Sequence, residues 1–144
     1  MEIFCESAEE TQRFAYDFSK KINKGTVISL NGNLGAGKTT FAQGFAKGMG
    51  IEQHVGSPTF KLVSEYIGNK MNLYHIDCYR LNGVNDFLNM GGETLLLPEN
   101  GVSLFEWASI IGEVLPNDTI KIDFTRFKDE PERRKLNIFG FKNE

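Results

Sequence analysis

Gly32-Asn33-Leu34-Gly35-Ala36-Gly37-Lys38-Thr39 follows the pattern G-x-x-x-x-G-K-[ST] at every position. Glycines at these spacings let the backbone curl until successive N–H groups point inward, a cradle for phosphate oxygens. A helix beginning near Lys38 would add the positive end of its dipole. Lys38 would bring a point charge to the β- and γ-phosphates. The Thr39 hydroxyl would stand ready for the magnesium ion that bridges them. The mechanism requires a buried strand before the loop and a helix after it. Residues 26–30 (Thr-Val-Ile-Ser-Leu) are short, apolar and β-branched, as a buried strand is. From Lys38 to about Met49, Phe41 and Phe45 share one helical face.

Working outward, Ser7-Ala8-Glu9-Glu10 has the form of a capping box. Phe14, Phe18 and Ile22 follow at a spacing of four, predicting an amphipathic helix over 7–23 that Lys24-Gly25 ends. Residues 54–59 read as loop, broken by Gly56 and Pro58. Residues 61–67 and 71–79 read as a hairpin turning at Gly68-Asn69. Residues 83–98 suggest a short helix with loops, and 102–106 a buried strand ending in a carboxylate. Residues 107–114 suggest a helix, and the alternation in 119–126 and 134–141 a terminal hairpin. The expected fold is therefore α/β: one P-loop-like sheet, partly parallel with antiparallel hairpins and flanked by helices, in one domain over 1–144.

A nucleotide site also needs a carboxylate at a strand end, for metal or water. Asp77 ends the apolar run Leu73-Tyr74-His75-Ile76, and Glu106 ends 102–105. Either is a candidate, and either is also explained as an ordinary strand-end acid. His75 reads as a phosphate or water contact, or as a packed, hydrogen-bonded histidine. The guanine-selecting motif N-K-x-D finds only Asn69-Lys70-Met71-Asn72, in a turn and without the aspartate, so adenine is the expected base.

Charge and composition bound the alternatives. Apolar residues at 40% and charged residues at 24% suit a water-soluble globule. A net charge of -3 argues against broad electrostatic binding to nucleic acid. Lys20, Lys21 and Lys24, or Arg133, Arg134 and Lys135, could form only local patches, and solvated charges explain both. Cys5 and Cys78 lie far apart in no C-x-x-C pair, which fits reduced thiols in or beside strands rather than a disulfide framework or zinc site. The N-terminus lacks a signal-peptide pattern and no apolar run reaches membrane-spanning length, so the expected compartment is the cytoplasm.

Four segments taken in order resemble one family: residues 32–41, then Ser57-Pro58-Thr59-Phe60, then His75-Ile76-Asp77-Cys78-Tyr79-Arg80-Leu81, then Glu106-Trp107. Together they resemble the TsaE (YjeE) family of small bacterial ATPases across nearly the whole chain. The resemblance implies ATP and Mg2+ as ligands, and a role with TsaB and TsaD in forming threonylcarbamoyladenosine beside the tRNA anticodon. The tRNA would be met indirectly, through that complex. It implies phosphate contacts at Asn33, Leu34, Gly35, Ala36, Gly37, Lys38, Thr39 and Thr40, and magnesium at Thr39 and Glu106. Asp77 would support hydrolysis, and Thr59 would lie in a switch loop sensing the γ-phosphate. Ser7, Thr11 and Arg133 would flank the adenine, and Trp107 would shape the site, a partner surface or simply the core. Asn33 departs from the family's frequent aspartate, removing a charge but keeping a hydrogen-bonding side chain. Two other readings stand beside the regulatory ATPase: a small-molecule kinase and a nucleotide-binding adaptor without hydrolysis. A kinase needs an arginine-bearing lid; the arginine pair Arg133-Arg134 sits in the terminal hairpin, poorly placed for one.

Overall fold

The chain enters its sheet at the edge and its phosphate-loop candidate leaves from the middle. The computed structural model describes residues 1–33, 35–56 and 62–142. Leu34, the 57–61 segment with Ser57 and Thr59, and the last two residues lie outside the described residues. In chain order the strands are β1 (Glu2–Cys5), β2 (Val27–Asn31), β3 (Val63–Ile67), β4 (Asn72–Asp77), β5 (Gly101–Glu106), β6 (Ile120–Phe127) and β7 (Glu130–Phe139). The helices are α1 (Ala8–Ser19), α2 (Lys38–Gly48) and α3 (Val84–Asn89), with 3-10 turns over Gly92–Leu96 and Ala108–Val114.

The described residues form one seven-stranded sheet in the order β1-β7-β6-β2-β5-β4-β3. The four inner strands β6, β2, β5 and β4 run parallel. The edges are antiparallel: β3 against β4 and β7 against β6, with β1 against β7. This is the expected mixed, P-loop-like α/β sheet. In a parallel sheet, sites gather beyond the carboxyl ends of the strands, where the chain reverses its winding direction. Here β2 lies between β5 and β6, and the Gly-rich loop emerges from its carboxyl end.

Strand alternation sorts the core into two layers. Ile28, Leu30, Val102, Leu104, Ile122 and Leu136 face α1 and α2. Val27, Ile76 and Phe105 face the opposite layer, under Phe87 of α3 and Ile111. The two helices meet through Phe14, Phe18, Phe41 and Phe45, with ring centroids 5.7 to 6.5 Å apart. Each such pair adds about 0.5–1.5 kcal/mol beyond its burial.

The capping box forms with a shift. Ser7 Oγ accepts from the Glu10 amide, and Glu10 Oε1 reaches back to the amide of Glu6. Helix α1 stops at Ser19 rather than near Asn23. The next amides, of Lys20, Lys21 and Ile22, bond three residues back instead of four, which tightens the turn while keeping Ile22 buried. Strand β4 stops at Asp77 rather than Tyr79, because the Asp77 carboxylate accepts the Tyr79 amide and turns the chain. The hairpin of β3 and β4 and that of β6 and β7 are as expected. The 107–114 segment is 3-10 with a break at Ile111, not a regular helix. The pairing of β1 with β7 has no counterpart in the sequence reading.

Candidate functional site

Parallel pairing sets the floor of the site. The register aligns Leu30 with Glu106 and Ile122, and Glu106 with Asp77. The end of the loop-bearing strand and the two candidate carboxylates therefore stand at one level across the sheet. By alternation Glu106 shares the face of Leu104 and Val102, the face on which the loop and α2 sit.

The loop enters α2 through Gly37, whose φ of 108° belongs to the left-handed region that glycine takes without strain. Gly37 offers α2 no side-chain cap, so the positive end of the helix opens onto the cleft. That cleft, about 360 Å³, is lined on one side by Gly35, Gly37, Lys38, Thr39 and Thr40. Glu106 and Trp107 form its floor, and Ala8, Thr11, Pro131, Glu132 and Arg134 its far wall. Ala36 turns into the core, and Asn33 borders a neighbouring depression beside Phe124 and Arg126.

Lys38 is 5% exposed. Its ammonium donates to the Gly32 carbonyl at 2.8 Å and sits 4.1 Å from the centroid of the Trp107 ring. Burial lowers the pKa of this amine, and the nearby Glu106 and Asp77 charges oppose the shift. Trp107 has left-handed backbone, with φ of 56°, a conformation non-glycine residues hold only where surroundings impose it. It swings the indole over Lys38 and against Tyr79, at 5.2 Å between rings. Trp107 therefore belongs to the cleft and also packs against the second core layer.

The carboxylates divide. Glu106, 4% exposed, lines the cleft, and its Oε2 lies 2.6 Å from His75 Nε2. Asp77 is buried behind it, turned to the Tyr79 amide, and reaches Lys38 only through its charge. His75 is packed and hydrogen-bonded, one of the two readings open from the sequence. Among the described residues no three His, Cys, Asp or Glu side chains cluster as a metal cage. The Thr39 hydroxyl and Glu106 carboxylate, both on the cleft, are hard oxygen donors of the kind magnesium takes one or two at a time beside water and phosphate.

The arginine pair is the clearest departure from the sequence reading. On β7, Arg134 shares the face of Leu136 and Ile138, so it points to the loop; Arg133 points away. The Arg134 guanidinium donates to the carbonyls of Gly35, Pro131 and Arg133, bracing the loop from the far wall. Arg133, expected beside the adenine, instead bonds Glu6 and Glu130 and lies over the rings of Phe4 and Phe127. Ser7 is occupied as the cap of α1, whereas Ala8 beside it and Thr11, one turn on, reach the cleft. Arg134 could have been found in the sequence by counting back in twos from Leu136.

The chain is 38% identical over 136 residues to the tRNA threonylcarbamoyladenosine biosynthesis protein TsaE of Bacillus subtilis, covering 94% of this chain and 84% of that protein. To the protein of the same name from Treponema pallidum it is 36% identical over 129 residues, covering 90% and 94%. The solved structure of Bacillus subtilis YdiB superposes with a TM-score of 0.77 at 33% identity, covering 96% of this chain and 83% of that one. The family model described as Threonylcarbamoyl adenosine biosynthesis protein TsaE matches residues 5–136. With that model matched across most of its length, the chain belongs to the TsaE family.

Proposed function

We propose that the chain binds ATP with magnesium in this cleft and hydrolyses it slowly, as a regulatory ATPase acting with TsaB and TsaD in forming threonylcarbamoyladenosine in tRNA. The observation that carries the reading is the alignment of loop and carboxylate: Lys38, Thr39 and Glu106 line one cleft at the amino end of α2. The family supplies the pathway, since relatives across most of this length bear its name. The partners rest on the family resemblance.

Phosphate oxygens entering the loop would replace the Gly32 carbonyl as acceptors for Lys38, and the α2 amides would hold the rest. Thr39 and Glu106 would hold magnesium, which would supply positive charge to offset that of the phosphates. Asp77 would support the site from behind, as a fixed negative charge near Lys38, and Thr59 would sense the γ-phosphate. Arg134 keeps the loop in shape, and Thr11 and Ala8 bound the end of the cleft left for the nucleoside.

Phosphoryl transfer gains from exclusion of water and from added positive charge. The cleft here is open, and the guanidinium of Arg134 is already committed to three carbonyls. A docked partner would close it, so the isolated chain should turn over slowly. The test is phosphate release by the chain alone and with purified TsaB and TsaD, with co-elution measured in ATP, a non-hydrolysable analogue and ADP. Acceleration by the partners and nucleotide-dependent association are expected. Fast turnover by the chain alone, or no nucleotide-dependent association, would return the reading to a small-molecule kinase.

A further inference from the structure

His75 occupies a place in the sheet where a histidine is costly. It lies in β4, between Ser64 of β3 and Leu104 of β5, with no exposed surface. Its Nδ1 is buried and has no hydrogen-bond partner among the described residues. An orphaned polar atom in a core lowers stability, whereas an apolar side chain of similar size would incur no such loss. Its other nitrogen, Nε2, lies 2.6 Å from Glu106 Oε2, the one bond the imidazole makes among the described residues. His75 and Leu104 are register partners, so His75 stands two residues below the level of Glu106 and approaches its carboxylate from beneath.

We propose that His75 is a positioning residue for the metal-binding carboxylate. Its Nε2–H fixes one oxygen of Glu106 and leaves the other to the cleft, opposite Thr39. The carboxylate ends a strand on a side chain with three rotatable bonds, and a single strong hydrogen bond removes most of that freedom. Hydrogen bonds to ligating groups of this kind are commonly worth 10–100-fold in metal affinity. The inference rests on the proposed magnesium-nucleotide reading of the cleft, and it assigns His75 no contact with nucleotide.

The test uses the full chain saturated with ADP and titrated with Mn2+, followed by the loss of the free-ion EPR signal. ADP affinity in EDTA is measured alongside by calorimetry. His75→Leu fills the core without a donor, and His75→Ala is a second donor-less variant should leucine not be accommodated. We expect either to weaken Mn2+ binding about 10–100-fold while ADP affinity in EDTA stays at the wild-type value. His75→Gln, which keeps an N–H in reach of Glu106, should restore most of the loss. In a Glu106→Gln background, His75→Leu should have no further effect. Unchanged Mn2+ affinity in a folded donor-less variant overturns the proposal, as does an equal loss of ADP affinity in EDTA. If ADP fails to promote Mn2+ binding even in the wild type, the magnesium reading of the cleft falls, and the inference with it.

Discussion

Glu106 and Trp107 are adjacent residues whose side chains do different work in one cleft. Glu106→Ala would remove the proposed magnesium ligand but leave the loop amides and Lys38, so hydrolysis with partners present should fall on the order of 10–100-fold or more, while ATP affinity changes much less. Parallel phosphate-release and calorimetric measurements check this; wild-type turnover would reduce Glu106 to a strand-end acid. Trp107 is the chain's single tryptophan and stacks on the Lys38 ammonium, which in the proposed complex would turn to the phosphates. Its fluorescence should change on addition of ADP or ATP with magnesium, and a flat titration at saturation would detach the indole from the nucleotide. The loop residues were legible in the sequence because glycine and lysine at fixed spacings have one common mechanical use. The choice between Arg133 and Arg134 was less so. It depends on which face of β7 meets the loop, and that follows from Leu136 and Ile138 rather than from the arginines themselves.

Helices α1 and α2 are held close by an absence. A Cβ added at Gly44 of α2 would come within 2.3 Å of the Gln12 carbonyl oxygen and 2.6 Å of its Cα, both backbone of α1. Gly44→Ala must therefore push α1 outward, at a cost of about 1–3 kcal/mol for overpacking. It should also lower ATP affinity, because α1 carries the Ala8 and Thr11 wall of the cleft. Urea denaturation and nucleotide titration read the two effects, and an unchanged unfolding midpoint would show that the two helices separate at little cost. The apolar periodicity of α1 announced the helix but not its end. Ile22 keeps the spacing of four after the helix has tightened into a 3-10 turn, so the pattern outlasts the structure. Strand β1 was legible only through Cys5, expected in or beside a strand, and for a related reason. Its four residues are too few to show alternation, and its partner β7 is more than a hundred residues away in sequence.

Across the whole molecule, the parallel centre and antiparallel edges were legible because a phosphate loop implies a strand-loop-helix unit and short turns imply hairpins. The strand order was not, since nothing local to β5 says that it inserts between β2 and β4. That insertion is what brings Glu106 beside the loop. Cys78 is buried on the layer opposite α1 and α2, where desolvation pushes the thiol up to about 12. Cys5, in β1, is raised in the same direction by burial. A thiol with a raised pKa is thiolate only above that value, so at pH 8 roughly one Cys78 in ten thousand would be ionised. The folded protein should resist iodoacetamide at that pH and take up two labels once unfolded, as mass spectrometry would read. Rapid labelling of Cys78 in the native state would mean that this layer opens readily.

Everything proposed for this chain depends on phosphates meeting Lys38. Calorimetry of ATP with magnesium against the wild type and Lys38→Ala tests that most directly, with thermal melting of both to confirm the fold. Loss of a charge-assisted contact should weaken binding about 10–100-fold or more with the melting transition preserved. A folded Lys38→Ala that binds ATP as tightly as the wild type would contradict the account.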